Sequence, residues 1–170
     1  MARMSRDYIE YGLNWRWRPE RLLDCCKAVD HTVLGAYKDE RPVAFTAMQF
    51  GEQDAHLLLM AVMPRYRRGG VARAMLAWLE AAMRTMGLAR IFVELRVQNT
   101  GALAFYQRAG FHIITQIPGY YDGREDAYRM MRELSADFTQ GQSFYGLPDT
   151  SLASWLADPD RKPPADREKP

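Results

Sequence analysis

The residues of this chain best suited to chemistry are a glycine pair set among arginines, a glutamate on a predicted strand, and a tyrosine on the helix after it. The stretch 62–73, VMPRYRRGGVAR, joins an apolar run to an amphipathic one. Gly69 and Gly70 carry no side chain to obstruct a ligand. The first N–H groups of a helix have no internal acceptor, and the helix dipole adds positive character to them. Such a junction can hold a pyrophosphate. Arg65, Arg67, Arg68 and Arg73 surround it with cations whose planar forks can each donate two hydrogen bonds to a phosphate. The same residues admit plainer readings: a Gly-Gly turn, a solvated run of charge, or a nucleic-acid patch. The spacing is neither that of a P-loop nor G-x-G-x-x-G.

By strand alternation Glu94 shares a face with Phe92 and Arg96, opposite Ile91, Val93 and Leu95. A carboxylate there is either a general base or a solvent-facing glutamate. Tyr106 either offers its phenol hydroxyl for proton donation or packs in the core beside Phe105. Cys25 and Cys26 are adjacent, lie on a predicted helix far from the glycine pair, and are not read as a covalent relay. His31, His56 and His112 are scattered and single, and no C-x-x-C is present, so no metal site is expected.

These residues need elements to hold them. Residues 7–13 read as a first strand, and Pro19 opens a helix that continues over 20–28. Residues 31–37 and 42–50 read as strands joined by a polar turn. The apolar run 56–62 suits a strand buried on both faces. Val71, Met75, Trp78, Leu79, Ala82 and Met86 recur at helical spacing, and Gly87 stops that helix. Residues 90–97 are a strand, and Asn99 can cap a helix over 101–109. Residues 111–117 and 126–134 close the pattern as two more strands. The strand–helix–strand unit across 56–97 predicts a parallel pair. The fold class is therefore α/β (α+β), three layers, with a mixed central sheet of about seven strands and helices on both faces.

The run Arg67-Arg68-Gly69-Gly70-Val71-Ala72 resembles the acetyl-CoA signature of the GNAT acetyltransferase superfamily, Q/R-x-x-G-x-G/A. It falls between a strand and a helix, as in that fold. Residues 93–111, VELRVQNTGALAFYQRAGF, are similar to the L-E-V-R-x-x-N-x-x-A-x-x-L-Y-x-x-x-G-F run of N-terminal amine acetyltransferases, the group that includes the bacterial ribosomal-protein alanine N-acetyltransferases. Residues 120–127, YYDGREDA, lie close to the Y-Y-x-x-G-x-E-D-A ending of the same group. The likeness covers roughly residues 57–134 and weakens before Ala55. Met63 departs from it, standing where relatives often have an acidic residue before the proline.

The resemblance implies acetyl-CoA as co-substrate. Arg67, Arg68, Gly69, Gly70, Val71, Ala72 and Arg73 would hold its pyrophosphate, and Met60, Ala61 and Val62 would pair their backbone with its pantetheine arm. It assigns Glu94 as general base, since an ammonium must lose a proton before it can attack a thioester. It assigns Tyr106 as the acid beside the departing thiolate, and Asn99 as a coenzyme contact that can also cap its helix. A backbone N–H near Val62 would stabilise the tetrahedral oxyanion in a direct attack within a ternary complex.

The acceptor is an amine, with a protein N-terminal α-amine preferred. The alternatives are a small amine or amino acid, or a non-catalytic module that binds coenzyme A and regulates. Tyr120 and Tyr121, with Glu125 and Asp126 nearby, would line the acceptor groove, or cover the sheet edge. Trp15 and Trp17 would form a second wall, or anchor the first helix.

The chain has 170 residues, 48% of them hydrophobic and 26% charged, which suits one soluble domain. A formal net charge of +2 gives no ground for nucleic acid as a partner. There is no signal-peptide pattern at the N-terminus and no run near the ~20 apolar residues that span a bilayer, so no membrane partner is expected and the compartment is read as cytoplasmic. The catalytic domain is placed at 1–134. Residues 135–157 carry aromatics that suit an arm docking on the domain or on a partner subunit, a homodimer in the second case. Residues 158–170 are charged and proline-rich, the composition of a disordered tail.

Overall fold

The structure is a computed structural model that describes residues 1–134; the arm expected over 135–157 and the tail over 158–170 lie outside the described residues. Along the chain run α1 (Ala2–Tyr8), α2 (Pro19–Lys27), β1 (His31–Lys38), β2 (Arg41–Phe50), β3 (Asp54–Val62), a 3-10 turn (Pro64–Tyr66), α3 (Val71–Thr85), β4 (Arg90–Arg96), α4 (Thr100–Arg108), β5 (His112–Tyr121) and β6 (Glu125–Glu133). The six strands form one mixed sheet in the order β1-β2-β3-β4-β6-β5. The β3–β4 pair is parallel, with α3 as its crossover, and the other neighbours are antiparallel. No helix among the described residues is long and apolar enough to cross a membrane.

Three expectations need correction. Residues 7–13 are not a strand, so the described sheet has six strands rather than seven. Met4 and Ser5 are buried on the short helix α1, and the chain then turns through Gly12 at φ +78. A buried carboxylate enforces that turn: Glu10 accepts from Ser5 Oγ at 3.0 Å and from the Arg16 amide at 2.7 Å. Second, β3 is buried at alternate positions only, Ala55, Leu57, Leu59 and Ala61. Third, the core face of α3 is rotated from the one expected. Leu76 and Met83 are buried while Trp78 and Met86 are each 49% exposed.

The strand β3 changes sides along its length. Ala47 lies opposite Leu59, yet Met48 lies opposite Leu57, so Leu58 is an extra residue in the ladder. Such a bulge reverses which face successive side chains take. Leu57 accordingly packs with Leu76, Leu79 and Met83 of α3 and with Ile91, Val93 and Leu95 of β4. Leu59 and Ala61 instead pack with Met4 of α1 and Leu22 of α2. Helices thus cover both faces. Each fully buried Leu or Met side chain here contributes about 1.5–3 kcal/mol through area removed from water.

Candidate active site

The sheet opens where the bulge lies. The β3–β4 ladder runs only from Asp54↔Arg90 to Leu57↔Val93, although β3 continues to Val62 and β4 to Arg96. Beyond that point the edge of β3 facing β4 has no ladder partner, and a strand edge without a partner can receive an extended ligand. Met60, Ala61 and Val62 lie on this stretch.

The glycine junction closes one end of the opening. Gly70 caps α3 at φ 90, in the left-handed region that a side chain resists, and no side chain caps the helix. The amides of Val71, Ala72 and Arg73 head that helix. Arg68 also adopts a positive φ of 60, so the 68–70 segment curls tightly before the helix starts. Arg73 is exposed on the first turn. Arg67 folds back instead: its Nε donates to the Val62 carbonyl at 3.0 Å and its guanidinium lies 5.7 Å from the Tyr8 ring centre. The junction fits a diphosphate, because an open helix start with small residues and cations beside it is the donor set such an anion needs.

Glu94 lies across the opening on β4, its side chain 6% exposed. Arg129 is its register partner on β6, and Arg129 Nε donates to Glu94 Oε1 at 2.6 Å. His56 Nε2 is bonded to Glu94 Oε2. Burial alone would raise the Glu94 carboxyl, but the bonds from His56 and Arg129 outweigh it and hold the group below its ordinary value. The carboxylate is therefore ionised and has a donor on each oxygen.

Tyr106 is buried on α4 at 6% exposure, edge-to-face with Phe105 at 5.1 Å and Phe111 at 5.2 Å. Burial, and then the neighbouring Tyr121, push its phenol far above the ordinary value, so the hydroxyl keeps its proton. Tyr121 is raised as well, by burial first and then by Tyr120 and Glu94. Glu94, Tyr120, Tyr121 and Tyr106 are thus electrostatic neighbours. Asn99 caps α4, its Oδ1 accepting from the Ala102 amide at 3.1 Å.

On the far side, Tyr120 is 41% exposed and meets Tyr121 edge-on at 4.9 Å. The acids beside them are already engaged: Asp126 accepts from the Gly119 amide at 2.9 Å and Gln116 at 2.8 Å, and Glu125 pairs with Arg96 at 3.6 Å. The α1–α2 loop is tied across to this hairpin. Asp122 accepts from the Asn14 amide at 2.7 Å and from Arg16 Nη2 at 2.8 Å, and Arg96 Nη2 donates to the Tyr11 carbonyl at 2.7 Å. Trp17 packs in the α1–α2 core with Arg21 4.1 Å over its ring. Trp15 donates to the Trp17 carbonyl at 3.0 Å between Arg6 and Arg18. Both indoles thus have structural partners within the loop.

His56, Arg129, Glu10, Arg96 and Asp122 were missed by sequence reasoning. Their roles were hidden because their partners lie 38, 35, 6, 85 and 108 residues away along the chain.

Comparison with known proteins agrees with this fold. A model of the acetyltransferase (GNAT) family matches residues 2–111. The chain is 38% identical over 95 residues to the ribosomal protein bS18-alanine N-acetyltransferase of Escherichia coli strain K12, covering 54% of this chain and 64% of that protein. It is 39% identical over 83 residues to an N-alpha-acetyltransferase of Saccharolobus solfataricus, covering 46% of this chain and 48% of that one. The fold superimposes on a crystal structure of Ard1 from Thermoplasma volcanium with TM-score 0.68 and 25% identity, covering 79% and 89% of the two chains.

Proposed function

This chain belongs to the acetyltransferase (GNAT) family, and from that premise we propose that it moves an acetyl group from acetyl-CoA to an amine, with a protein N-terminal α-amine as acceptor. The observation that carries the reading is the parting of β3 from β4 beyond Leu57 and Val93. It sets a free strand edge between the open start of α3 and the Glu94 carboxylate, the arrangement a long thioester carrier requires.

The diphosphate is held by the amides of Arg68 to Arg73, with Arg67 bracing the turn from Val62 and Asn99 fixing the start of α4 beside the coenzyme. The pantetheine arm lies along Met60, Ala61 and Val62, so that a backbone N–H near Val62 faces the thioester oxygen and stabilises the oxyanion. Acetyl-CoA supplies the activated acyl group; this chain supplies orientation and proton transfer. Glu94 serves the base step, directly or through water, and Tyr106 donates to the departing sulfur. Tyr120 and Tyr121 flank the acceptor, and the tied α1–α2 loop carrying Trp15 and Trp17 forms the opposite wall. The α-amine preference rests on the likeness in sequence to N-terminal acetyltransferases.

The test is release of free thiol from acetyl-CoA by the purified chain, with N-terminal peptides set against polyamines and free amino acids. Preference for peptides with free α-amines is the expected result. Preference for small amines would overturn the acceptor assignment, and silence across the panel would overturn the transfer itself in favour of a regulatory module.

A further inference from the structure

The strand β5 is the outermost of the sheet and pairs with β6 alone among the described residues. Its residues 112–117 read HIITQI, with no charged residue, proline or glycine and with β-branched side chains at 113, 114, 115 and 117. Residues 112–116 are all exposed, Ile113 at 40% and Ile114 at 45%. The pairing with β6 slips at Ile114, which bends the edge but leaves both isoleucines in the open. A free strand edge is a row of unpaired backbone groups, and folded proteins blunt it with charge, proline or a covering element. A charge-free, β-prone stretch on such an edge invites the addition of a strand.

The opposite edge is treated differently. The strand β1 is half-buried over most of its length and ends on Lys38. Helix α2 packs against it, and the Met1 side chain lies over Gly35. Residues 112–116 have no such cover among the described residues.

The place where the chain leaves the sheet points to the occupant. Met131 lies opposite His112, and β6 ends at Glu133. Leu134 is buried, and its amide donates to the Ala89 carbonyl at 2.7 Å. Residue 135 therefore starts at the end of the sheet where β5 begins. From the line of β6 to the outer side of β5 is two strand spacings, about 10 Å, which three or four extended residues cover. Phe138 falls at that point, and Phe144, Tyr145 and Leu147 follow. Residues 135–157 hold two aspartates and no lysine or arginine, and Arg108 is exposed on the last turn of α4, just before β5. A segment tethered so closely has an effective concentration on the order of millimolar at the edge.

We propose that residues 135–157 fold back over the outer edge of β5 and add a strand to the sheet along 112–117. Because β6 ends where β5 begins, the added strand runs parallel to β5. Its backbone pairs with the outward N–H and C=O groups of 112–117, and its apolar side chains cover Ile113 and Ile114. Pro118 has no N–H to contribute and marks the far limit of the pairing. This docking stands apart from the acetyl-transfer reading and does not depend on it.

Hydrogen exchange of the full chain, read by mass spectrometry, tests the proposal. Amides within 138–147 should exchange about tenfold or more slowly than in a free peptide of the same sequence. Ile113→Lys combined with Ile114→Lys should abolish that protection and speed exchange over 112–117. Exchange in β3 and β4 should match the parent and so report an intact fold. Phe144→Asp combined with Tyr145→Asp should release the same two stretches from the other side, and it alone decides if the lysine pair unfolds the chain. Light scattering should give the parent and both variants the same mass. Exchange of 138–147 at the free-peptide rate in the parent would overturn the proposal. So would protection that survives the lysine pair and is lost in Trp78→Ser, which would seat the arm on α3. A parent dimer that the lysine pair splits would give the edge to a second copy of the chain instead.

Discussion

Glu94 and Arg129 stand directly opposite one another in the β4–β6 ladder and share a 2.6 Å ion-paired hydrogen bond, Arg129 Nε to Glu94 Oε1. Replacing Arg129 leaves a buried carboxylate with one donor fewer. Arg129→Met should cost about 1–3 kcal/mol at neutral pH, read from urea unfolding. Because Glu94 has a lowered value in the folded chain, its contribution is complete above the ordinary carboxylate range. It is lost as pH falls through the folded value. The gap between Arg129→Met and the parent should therefore narrow in acid; a gap that is constant with pH would show that the pair does not set stability.

Glu94→Gln keeps the shape of the side chain and removes its charge. Turnover should fall about 100- to 10,000-fold at neutral pH. Acetyl-CoA affinity, measured by calorimetry, should hold, because the diphosphate junction lies on α3 and not on β4. Unchanged turnover across pH would remove Glu94 from the base step.

Tyr106→Phe retains both edge-to-face ring contacts and deletes one hydroxyl. Burial keeps that phenol protonated well above its ordinary value, so it should contribute no titration limb of its own across the working range. The single-turnover rate of acetyl transfer should fall about 100-fold with little change in melting temperature. An unaltered rate would leave Tyr106 as a core aromatic.

Gly70→Ala tests the junction through the backbone alone. An added Cβ meets nothing within 4 Å, so the whole effect comes from φ +90. That strain is about 1–2 kcal/mol. If the helix start shifts to relieve it, acetyl-CoA should bind about tenfold more weakly, a loss of ~1.4 kcal/mol. Equal affinity for Gly70→Ala would place the diphosphate away from the amides of α3.

Asp122→Ala cuts the tie between the α1–α2 loop and the β5–β6 hairpin, since Asp122 accepts from both Asn14 and Arg16. The acceptor KM should rise severalfold while acetyl-CoA affinity holds. Bonds from the Asn14 amide and Arg16 keep the Asp122 carboxyl below its ordinary value, so the tie should persist through mild acid and fail only as pH falls through that lowered value. An acceptor KM that does not move would show that the loop does not border the acceptor.

The elements that depend on local order were legible in the sequence. Pro19 opening α2, Gly70 before α3 and the alternation of 90–97 all act through backbone geometry within a few residues, and the structure has α2, α3 and β4 there. The Gly69-Gly70 signature drew attention to the same junction for the same reason: its chemistry comes from consecutive amides. Residues 7–13 were read as a strand, but the Glu10 carboxylate gathers the Ser5, Arg16 and Trp17 donors and bends the chain.

What only the tertiary structure decided depends on register. Leu58 becomes a bulge because β2 and β3 slip by one residue there, and that slip sends Leu57 and Leu59 into opposite cores. The strands then part, and His56 and Arg129 converge on Glu94 from β3 and β6. A strand's own residues state which positions share a face; they do not state which residue of a distant strand will lie opposite. That is determined by packing of the whole sheet between its helices, so the residues that tune Glu94 were invisible until the strands were paired.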